Sequence, residues 1–231
     1  MIPLKDENET QKKCYIRLVI LIVCALVFFS QTLSPNNNYW IYYFGFKPLS
    51  LFQNVTYSSF PGYLTLITSL FLHGGWMHFL GNMLYLWIFA DNVEDKLGAK
   101  RFVCFYLISG VFASLTQAFF NFNSEVPMIG ASGSIAGVLG AYLYFFPKAK
   151  VLVLIPFFIF FTVKVPAYIL LIFWFLYQFL NLSNIDSSVA WLAHIGGFIF
   201  GYFFAVFSKS YNLEEKGKTV FLDKDEKGPW D

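Results

Sequence analysis

Residues 129–137 read Ile-Gly-Ala-Ser-Gly-Ser-Ile-Ala-Gly, and an apolar run continues from them to residue 146. Small residues recur here at four-residue spacing, at Gly133, Gly137 and Ala141. In a membrane, such spacing lets two helices approach until their backbones nearly touch. The stretch therefore predicts a short helix over 132–146 that packs closely against another helix and begins at Ser132.

A second apolar stretch carries the matching pattern, with Ala193, Gly197, Gly201 and Ala205, and it contains His194. Close packing of the two helices would bring Ser132 within hydrogen-bonding reach of His194. Polar side chains are costly in hydrocarbon and usually mark a functional site. A hydroxyl beside an imidazole is typical of a serine nucleophile and its general base. For either residue taken alone, a purely structural role stays open.

The composition indicates a membrane protein. Hydrophobic residues make up 57% of the chain and charged residues 13%, with a mean hydropathy of +0.57, whereas soluble domains carry about 25% charged residues. Six stretches reach or approach the ~20 apolar residues that a spanning helix needs. We therefore predict an all-α membrane protein, a bundle of six transmembrane helices, at about 16–33, 77–92, 101–120, 132–146, 167–182 and 188–208.

The rest of the chain divides around these helices. Residues 1–15 form a polar N-terminal tail, 16–208 the six-helix domain and 209–231 a charged C-terminal tail. A long loop occupies 34–76. The apolar run 151–163 is too short to span a membrane, so it is predicted to be re-entrant or interfacial.

Charge placement predicts the orientation. If six helices alternate, 15 of the 16 basic residues fall on one face and only Lys47 on the other. Cytoplasmic loops carry the excess of basic residues, so we expect a multi-pass protein with both termini cytoplasmic. No presequence is evident, which favours a bacterial plasma (inner) membrane. The formal net charge of +2 is too small to indicate nucleic acid as a partner.

The other two histidines lie at the start of the second predicted helix, His73 before it and His78 in its first turn. The stretch reads His73-Gly-Gly-Trp-Met-His78-Phe-Leu-Gly-Asn82. His78 and Asn82 are four residues apart and share a helix face, so both could donate hydrogen bonds to one oxyanion. The step from His73 to His78 is not that of a helical zinc pair, and no acidic or thiol ligand is near. We predict no metal, and the three cysteines are interpreted as packing residues.

Together, His73-x4-His78-x3-Asn82, Gly130-x-Ser132-Gly133 and Ala193-His194-x2-Gly197, with the intervening stretch 92–98, resemble the rhomboid family of intramembrane serine proteases. The resemblance implies a six-helix bundle with a serine–histidine dyad in a water-filled cavity open to the non-cytoplasmic side. Ser132 would be the nucleophile and His194 the base. His78, Asn82 and the Ser132 amide would form the oxyanion hole, and His73 would support the first loop. No cofactor is implied, and the partners would be transmembrane protein substrates within the lipid bilayer.

The chain departs from the family pattern at two places. Some members have an aromatic residue four after the serine, which stacks on the histidine, but here that residue is Ala136. Something else must orient the imidazole, and Tyr142 and Tyr144 are candidates. A Trp-Arg pair found in the first loop of some members is also missing, because Trp40 has no arginine beside it.

A catalytically inactive rhomboid-like factor that binds membrane proteins is the main alternative function. Such a factor would be expected to lack the serine or the histidine, and both are present. A transporter would show inverted repeats or charged residues within its helices, and neither is evident. The sequence identifies neither the physiological substrates nor the oligomeric state.

Overall fold

The structure is a computed structural model, and it describes residues 1–52, 60–156, 160–184 and 189–215. The described helices are α1 (Ile16–Leu33), α2 (Asn37–Phe44), α3 (Pro48–Phe52), α4 (Thr65–Thr68), α5 (Trp76–Leu97), α6 (Ala99–Phe120), α7 (Ser132–Phe145), α8 (Ala167–Leu180) and α9 (Trp191–Glu215). Short 3-10 turns, Gly62–Leu64 and Ser69–Phe71, flank α4. Three strands complete the described elements: β1 (Ile2–Asp6), β2 (Lys150–Pro156) and β3 (Phe160–Pro166).

Helix α7 lies in the middle of the bundle and packs against α5, α6, α8 and α9. Its approach to α9 is close enough that a methyl group added at Gly197 or Gly201 would overlap a backbone carbonyl of α7. Those carbonyls belong to Gly133 and Gly137. The predicted close packing of these two helices is therefore confirmed, and it brings the first turns of α7 and α9 together.

Each of the six predicted helices is present; α1 has the predicted ends, and the ends of the other five are shifted. Among the residues that the structure describes, three helical stretches are long and apolar enough to cross a membrane: Ile16–Leu33, Ala99–Phe120 and Trp191–Ser208. Helices α7 and α8 are apolar but have 14 residues each. The protein is a membrane protein with a mainly helical fold, and the number of six spans stays a prediction.

The all-α prediction is wrong for part of the chain, because β1, β2 and β3 form an antiparallel sheet in that order. Ile2 lies opposite Leu154, and Val153 opposite Val163. Of the run 151–163, predicted as re-entrant or interfacial, residues 151–156 and 160–163 belong to these paired strands. Val151 and Val153 are fully buried, whereas Leu152 and Leu154 are partly exposed. That period of two is the signature of a strand.

The segment predicted as a polar tail is folded against the end of α5, where the Asp95 carboxylate accepts hydrogen bonds from the Gln11 and Lys12 amides at 2.9 and 3.0 Å. The Glu94 carboxylate accepts hydrogen bonds of 2.9 Å from the amides of Ile16 and Arg17, and these are free amides of the first turn of α1. Arg17 also donates to Asp91 at 2.8 Å. Since these carboxylates are bonded to the N-terminal segment, α5 continues to Leu97 rather than ending near residue 92.

The loop predicted over 34–76 contains α2 to α4 and is tied to the segment before α7. Phe46 and Met128 exchange two backbone hydrogen bonds, of 3.0 and 2.7 Å. Trp40 packs on Phe44, with ring centroids 5.7 Å apart. Of the predicted C-terminal tail, residues 216–231 lie outside the described residues.

Candidate active site

A cavity of about 1090 Å³ extends from the loops around Gly75, Pro127 and Val189 to the first turn of α7. Its lining includes all four predicted site residues: His78, Asn82, Ser132 and His194. Three helices supply them, because His78 and Asn82 belong to α5, Ser132 to α7 and His194 to α9. Residues far apart in sequence thus meet at one site because α7 packs against both other helices.

Ser132 and His194 are in direct contact. The Oγ atom of Ser132 lies 2.8 Å from Nε2 of His194, which is a hydrogen-bonding distance. Ser132 is the first residue of α7, and His194 lies in the first turn of α9. The glycine contacts between the two helices allow this approach. A hydroxyl in such contact with a neutral imidazole nitrogen can transfer its proton to that nitrogen.

His78 and Asn82 lie one turn apart on α5, beside the backbone that precedes Ser132. Gly130 has φ +119°, a conformation that favours glycine, and a methyl group there would lie 2.6 Å from Nε2 of His78. The Gly74 amide donates to Nδ1 of His78 at 3.4 Å. In a neutral ring this places the proton on Nε2, toward Gly130.

The side-chain amide of Asn82 is a buried donor. Its Nδ2 atom has no hydrogen-bond partner among the residues that the structure describes. A buried donor without a partner is unfavourable and calls for an explanation. Asn82 lines the cavity, so an acceptor bound there could satisfy it.

His73 is completely buried beneath His78. The two rings are 5.2 Å apart at their centroids, and Phe28 and Phe79 pack edge-on against His73 at 6.3 and 5.4 Å. Its backbone exchanges two hydrogen bonds with the Gln31 side chain, of 3.1 and 3.2 Å. His73 therefore anchors the segment before α5 to α1.

The residue that contacts the second nitrogen of His194 is one that the sequence reasoning missed. Nδ1 lies 2.9 Å from Oε1 of Gln178 on α8. Neither suggested tyrosine fills that place, because Tyr142 donates to Asp6 at 2.8 Å and Tyr144 packs on Tyr202. Gln178 is a buried polar residue within an apolar helix, which is the same signal that singled out Ser132 and His194.

The described part of the chain contains no group of three His, Cys, Asp or Glu residues placed to hold a metal ion. His73 and His78 face each other as packed rings. Cys14, Cys24 and Cys104 are free thiols. The polar side chains lining the cavity include the hydroxyls of Ser124, Ser132 and Tyr85, the imidazoles of His78 and His194, and the amides of Asn82, Gln117 and Asn121.

Comparison with known proteins adds independent information. The family model described as "Rhomboid domain" matches residues 61–210. Rhomboid protein 1, mitochondrial, of Saccharomyces cerevisiae is 30% identical over 142 residues, covering 60% of this chain and 40% of that protein. Rhomboid protease GluP of Bacillus subtilis is 36% identical over 140 residues, covering 61% of this chain and 25% of that protein.

RHOMBOID-like protein 5 of Arabidopsis thaliana is 34% identical over 143 residues, covering 60% of this chain and 41% of that protein. The chain thus matches about two-fifths or less of the length of each of these relatives. The domain match extends from the residues before α4 into α9 and includes the whole cavity-lining part of α5, α7 and α9. On that match, the chain belongs to the rhomboid family of membrane proteins.

Proposed function

We propose that the protein is an intramembrane serine endopeptidase that cleaves transmembrane segments of other membrane proteins through a dyad of Ser132 and His194. The observation that carries the proposal is the 2.8 Å contact between Ser132 Oγ and His194 Nε2 at the base of an open cavity. Membership of a family that includes a protein named as a rhomboid protease supports it further.

In the first step, Nε2 of His194 takes the proton of the Ser132 hydroxyl while Oγ attacks the scissile carbonyl carbon. A tetrahedral intermediate forms with a negative charge on the former carbonyl oxygen. The C–N bond then breaks, and the imidazolium gives its proton to the departing amine. The product that stays behind is an acyl ester on Ser132.

We assign the stabilisation of the oxyanion to three donors: Nε2 of His78, Nδ2 of Asn82 and the Ser132 amide. The unpartnered Asn82 Nδ2 and the protonated Nε2 of His78 beside Gly130 support this assignment. The Ser132 amide belongs to the first turn of α7, where backbone N–H groups have no partner within the helix. Donors fixed before the reaction stabilise the developing charge without reorganisation.

Water completes the reaction by attacking the ester carbonyl, with His194 taking its proton and returning it to Oγ of Ser132. The cavity is lined by polar side chains at its loop end, among them Gln117, Asn121 and Ser124. We infer that it admits water from the side opposite the β-sheet. With both termini cytoplasmic, that side is non-cytoplasmic, and the bacterial plasma membrane stays a prediction.

A transmembrane substrate places a condition on cleavage. Peptide bonds in a transmembrane helix are hydrogen-bonded within the helix, so a substrate must unwind locally before Ser132 can attack. We predict that helix-breaking Gly or Pro residues near the cut and a small residue preceding it promote cleavage. Replacing them with leucine in a single-span reporter should slow cleavage, and equal cleavage of both reporters would contradict this mode of access.

The decisive experiment compares wild type with Ser132→Ala and His194→Ala in proteoliposomes that contain the single-span reporter. Both variants should lose cleavage and labelling by a fluorophosphonate. Ser134→Ala is the matched control, because Ser134 is a buried serine two residues along the same helix, and it should stay active. Cleavage by Ser132→Ala equal to that of wild type would refute the dyad. A folded wild-type protein that cleaves nothing would instead indicate a catalytically inactive factor that binds membrane proteins.

A further inference from the structure

The Gln178 side chain bridges two helices at the back of His194. Gln178 is 2% exposed. Its Nε2 donates to the Trp174 carbonyl at 2.6 Å, and its Oε1 lies 2.9 Å from Nδ1 of His194. The imidazole therefore has Ser132 on one nitrogen and the amide of Gln178 on the other.

The contact with Trp174 decides which way round the amide lies. A carbonyl oxygen accepts and never donates, so the NH₂ group of Gln178 must face Trp174 and its Oε1 must face His194. An acceptor at that place requires a proton on Nδ1. In the neutral ring, Nε2 is then the bare nitrogen, and it accepts from the Ser132 hydroxyl. In the opposite tautomer, the bare Nδ1 of His194 would face Oε1 of Gln178, and both atoms are acceptors.

Two aromatic rings hold the imidazole from other directions. The Trp174 ring lies 5.8 Å from His194 between centroids and is tilted by 32°, and the Trp191 ring lies 6.1 Å away, edge-on at 88°. The position where some relatives place an aromatic residue is occupied here by Ala136. Trp174 thus supplies both a ring beside His194 and the carbonyl that orients Gln178.

We propose that Gln178 is the positioning residue of this site, holding His194 in the Nδ1–H tautomer so that Nε2 can accept the proton of Ser132. The effect on rate rests on the proposed protease function, but the effect on the tautomer does not. Because the amide is uncharged, it orients the ring without a buried carboxylate, which would need its own compensation in this apolar surrounding.

The proposal predicts a separation between kcat and KM. Gln178→Met keeps the length of the side chain but removes the acceptor, so kcat should fall about tenfold, roughly the loss of one good hydrogen bond. KM should stay within about twofold, because Gln178 is not among the residues lining the cavity. Leu176→Met is the matched control on the same helix, at a side chain 53% exposed, and it should match wild type.

Gln178→Glu tests the geometry by rescue. A neutral glutamic acid can donate its O–H to the Trp174 carbonyl and still accept from Nδ1–H of His194, so it keeps both contacts of the amide without a buried charge. The kcat of Gln178→Glu should therefore stay near that of wild type. A kcat for Gln178→Glu as low as that for Gln178→Met would count against contact between residue 178 and His194.

A measurement that needs no activity separates this proposal from the proposed function. The chain has three histidines, so nitrogen-15 labelling of histidine gives three imidazole spectra, and His194 is identified by its loss in His194→Ala. Wild type should show His194 protonated on Nδ1, and Gln178→Met should show a mixture of tautomers. An Nε2–H tautomer in wild type, or identical spectra in the two proteins, would overturn the role of Gln178 even if the enzyme were active. An inactive wild type with the Nδ1–H signal would instead refute only the proposed function.

Discussion

Asn82 is the residue whose surroundings depend most on a bound substrate. Its Nδ2 is buried and has no acceptor among the described residues, and a buried donor in that state costs about 1–3 kcal/mol. A negatively charged oxygen bound in the cavity would remove this penalty at the moment when the charge develops. Under the proposed function, the unbound site would therefore favour the transition state at the expense of its own stability.

We predict that Asn82→Ala lowers kcat about 100-fold, the usual effect of removing one oxyanion donor, with a small change in KM. Steady-state cleavage of the single-span reporter measures both constants. Asn121→Ala is the control, because Asn121 also lines the cavity but its amide already donates to the Gln117 carbonyl. Equal losses in the two variants would argue against a special role for Asn82.

For single residues, the sequence indicates the candidate catalytic side chains more readily than the side chain that holds one of them in place. Ser132 and His194 stand out because a polar side chain in an apolar helix needs a reason, and four-residue spacing of glycines predicts that the two helices meet. Gln178 carries the same signal, but its partner is a side chain 16 residues away across a loop. Only the packing of α8 against α9 shows where its amide is directed.

Among the elements, the contact between α7 and α9 is the least tolerant of added volume. We predict that Gly201→Ala lowers the apparent Tm in detergent, since its new methyl group would overlap the Gly137 carbonyl and overpacking costs about 1–3 kcal/mol. Gly81→Ala is the control, because no atom lies within 4 Å of a methyl group placed there. A Gly201→Ala protein as stable as Gly81→Ala would show that the helices are farther apart.

The sheet gives a prediction about pH. Burial raises the pKa of Asp6 to about 6, while its carboxylate accepts hydrogen bonds of 2.8 Å from both Tyr142 and Asn92. A carboxyl with a raised pKa binds its proton more tightly in the folded state, so its stabilising contribution is complete below about pH 4 and is lost as the pH rises through about 6. Asp6→Asn removes this titration.

The expected result is that the Tm of Asp6→Asn rises relative to that of wild type between about pH 4 and pH 6, the interval between the ordinary and the raised pKa of Asp6, and levels off at higher pH. Thermal unfolding followed by tryptophan fluorescence in detergent measures the difference. Asp95→Asn, at a partly exposed carboxylate that accepts from the Gln11 and Lys12 amides, provides a comparison at the same end of the bundle. A difference between Asp6→Asn and wild type that is constant with pH would contradict the assignment.

Helices and strands differ in how well they can be predicted here. Apolar runs identify the helices because each one buries a face by itself, whereas β1 is a five-residue strand, Ile-Pro-Leu-Lys-Asp, with no run to detect. The apolar run that contains its partner β2 is too short to span a membrane, and that length alone indicates a re-entrant or interfacial segment rather than a strand. A strand in such a sheet is defined by pairing, and the pairing joins residues about 150 positions apart.

The whole molecule has two different ends. One holds the sheet and the N-terminal segment bonded to α5, and the other holds the cavity and the α2–α4 loop. Basic residues near the N-terminus and beside β2 and β3 lie together at the sheet end. If the six helices alternate in direction, these residues are expected on the same side of the membrane, as the predicted orientation requires. Charge counting predicts which end is cytoplasmic, but it cannot reveal that one end is a folded sheet.

We predict that the two ends of α6 are accessible from opposite sides of the membrane. In a protein freed of Cys14, Cys24 and Cys104, single cysteines replace Lys100 and Phe122, which lie about 33 Å apart along the helix direction. In intact bacterial spheroplasts, an impermeant maleimide should label Phe122→Cys at once but Lys100→Cys only after permeabilisation. If Lys100→Cys were labelled first, the protein would have the opposite orientation to the one predicted.

The pairing of β1 with β2 also has a consequence for biosynthesis. Asp6 and its partner Tyr142 are 136 residues apart, so during translation the first strand is made long before the surface that receives it. Until then, its backbone can bond only to water or to the wrong neighbour. Docking of this strand is therefore a late event, and protection of its amides from hydrogen exchange would mark the time at which a newly made chain has completed the greater part of its bundle.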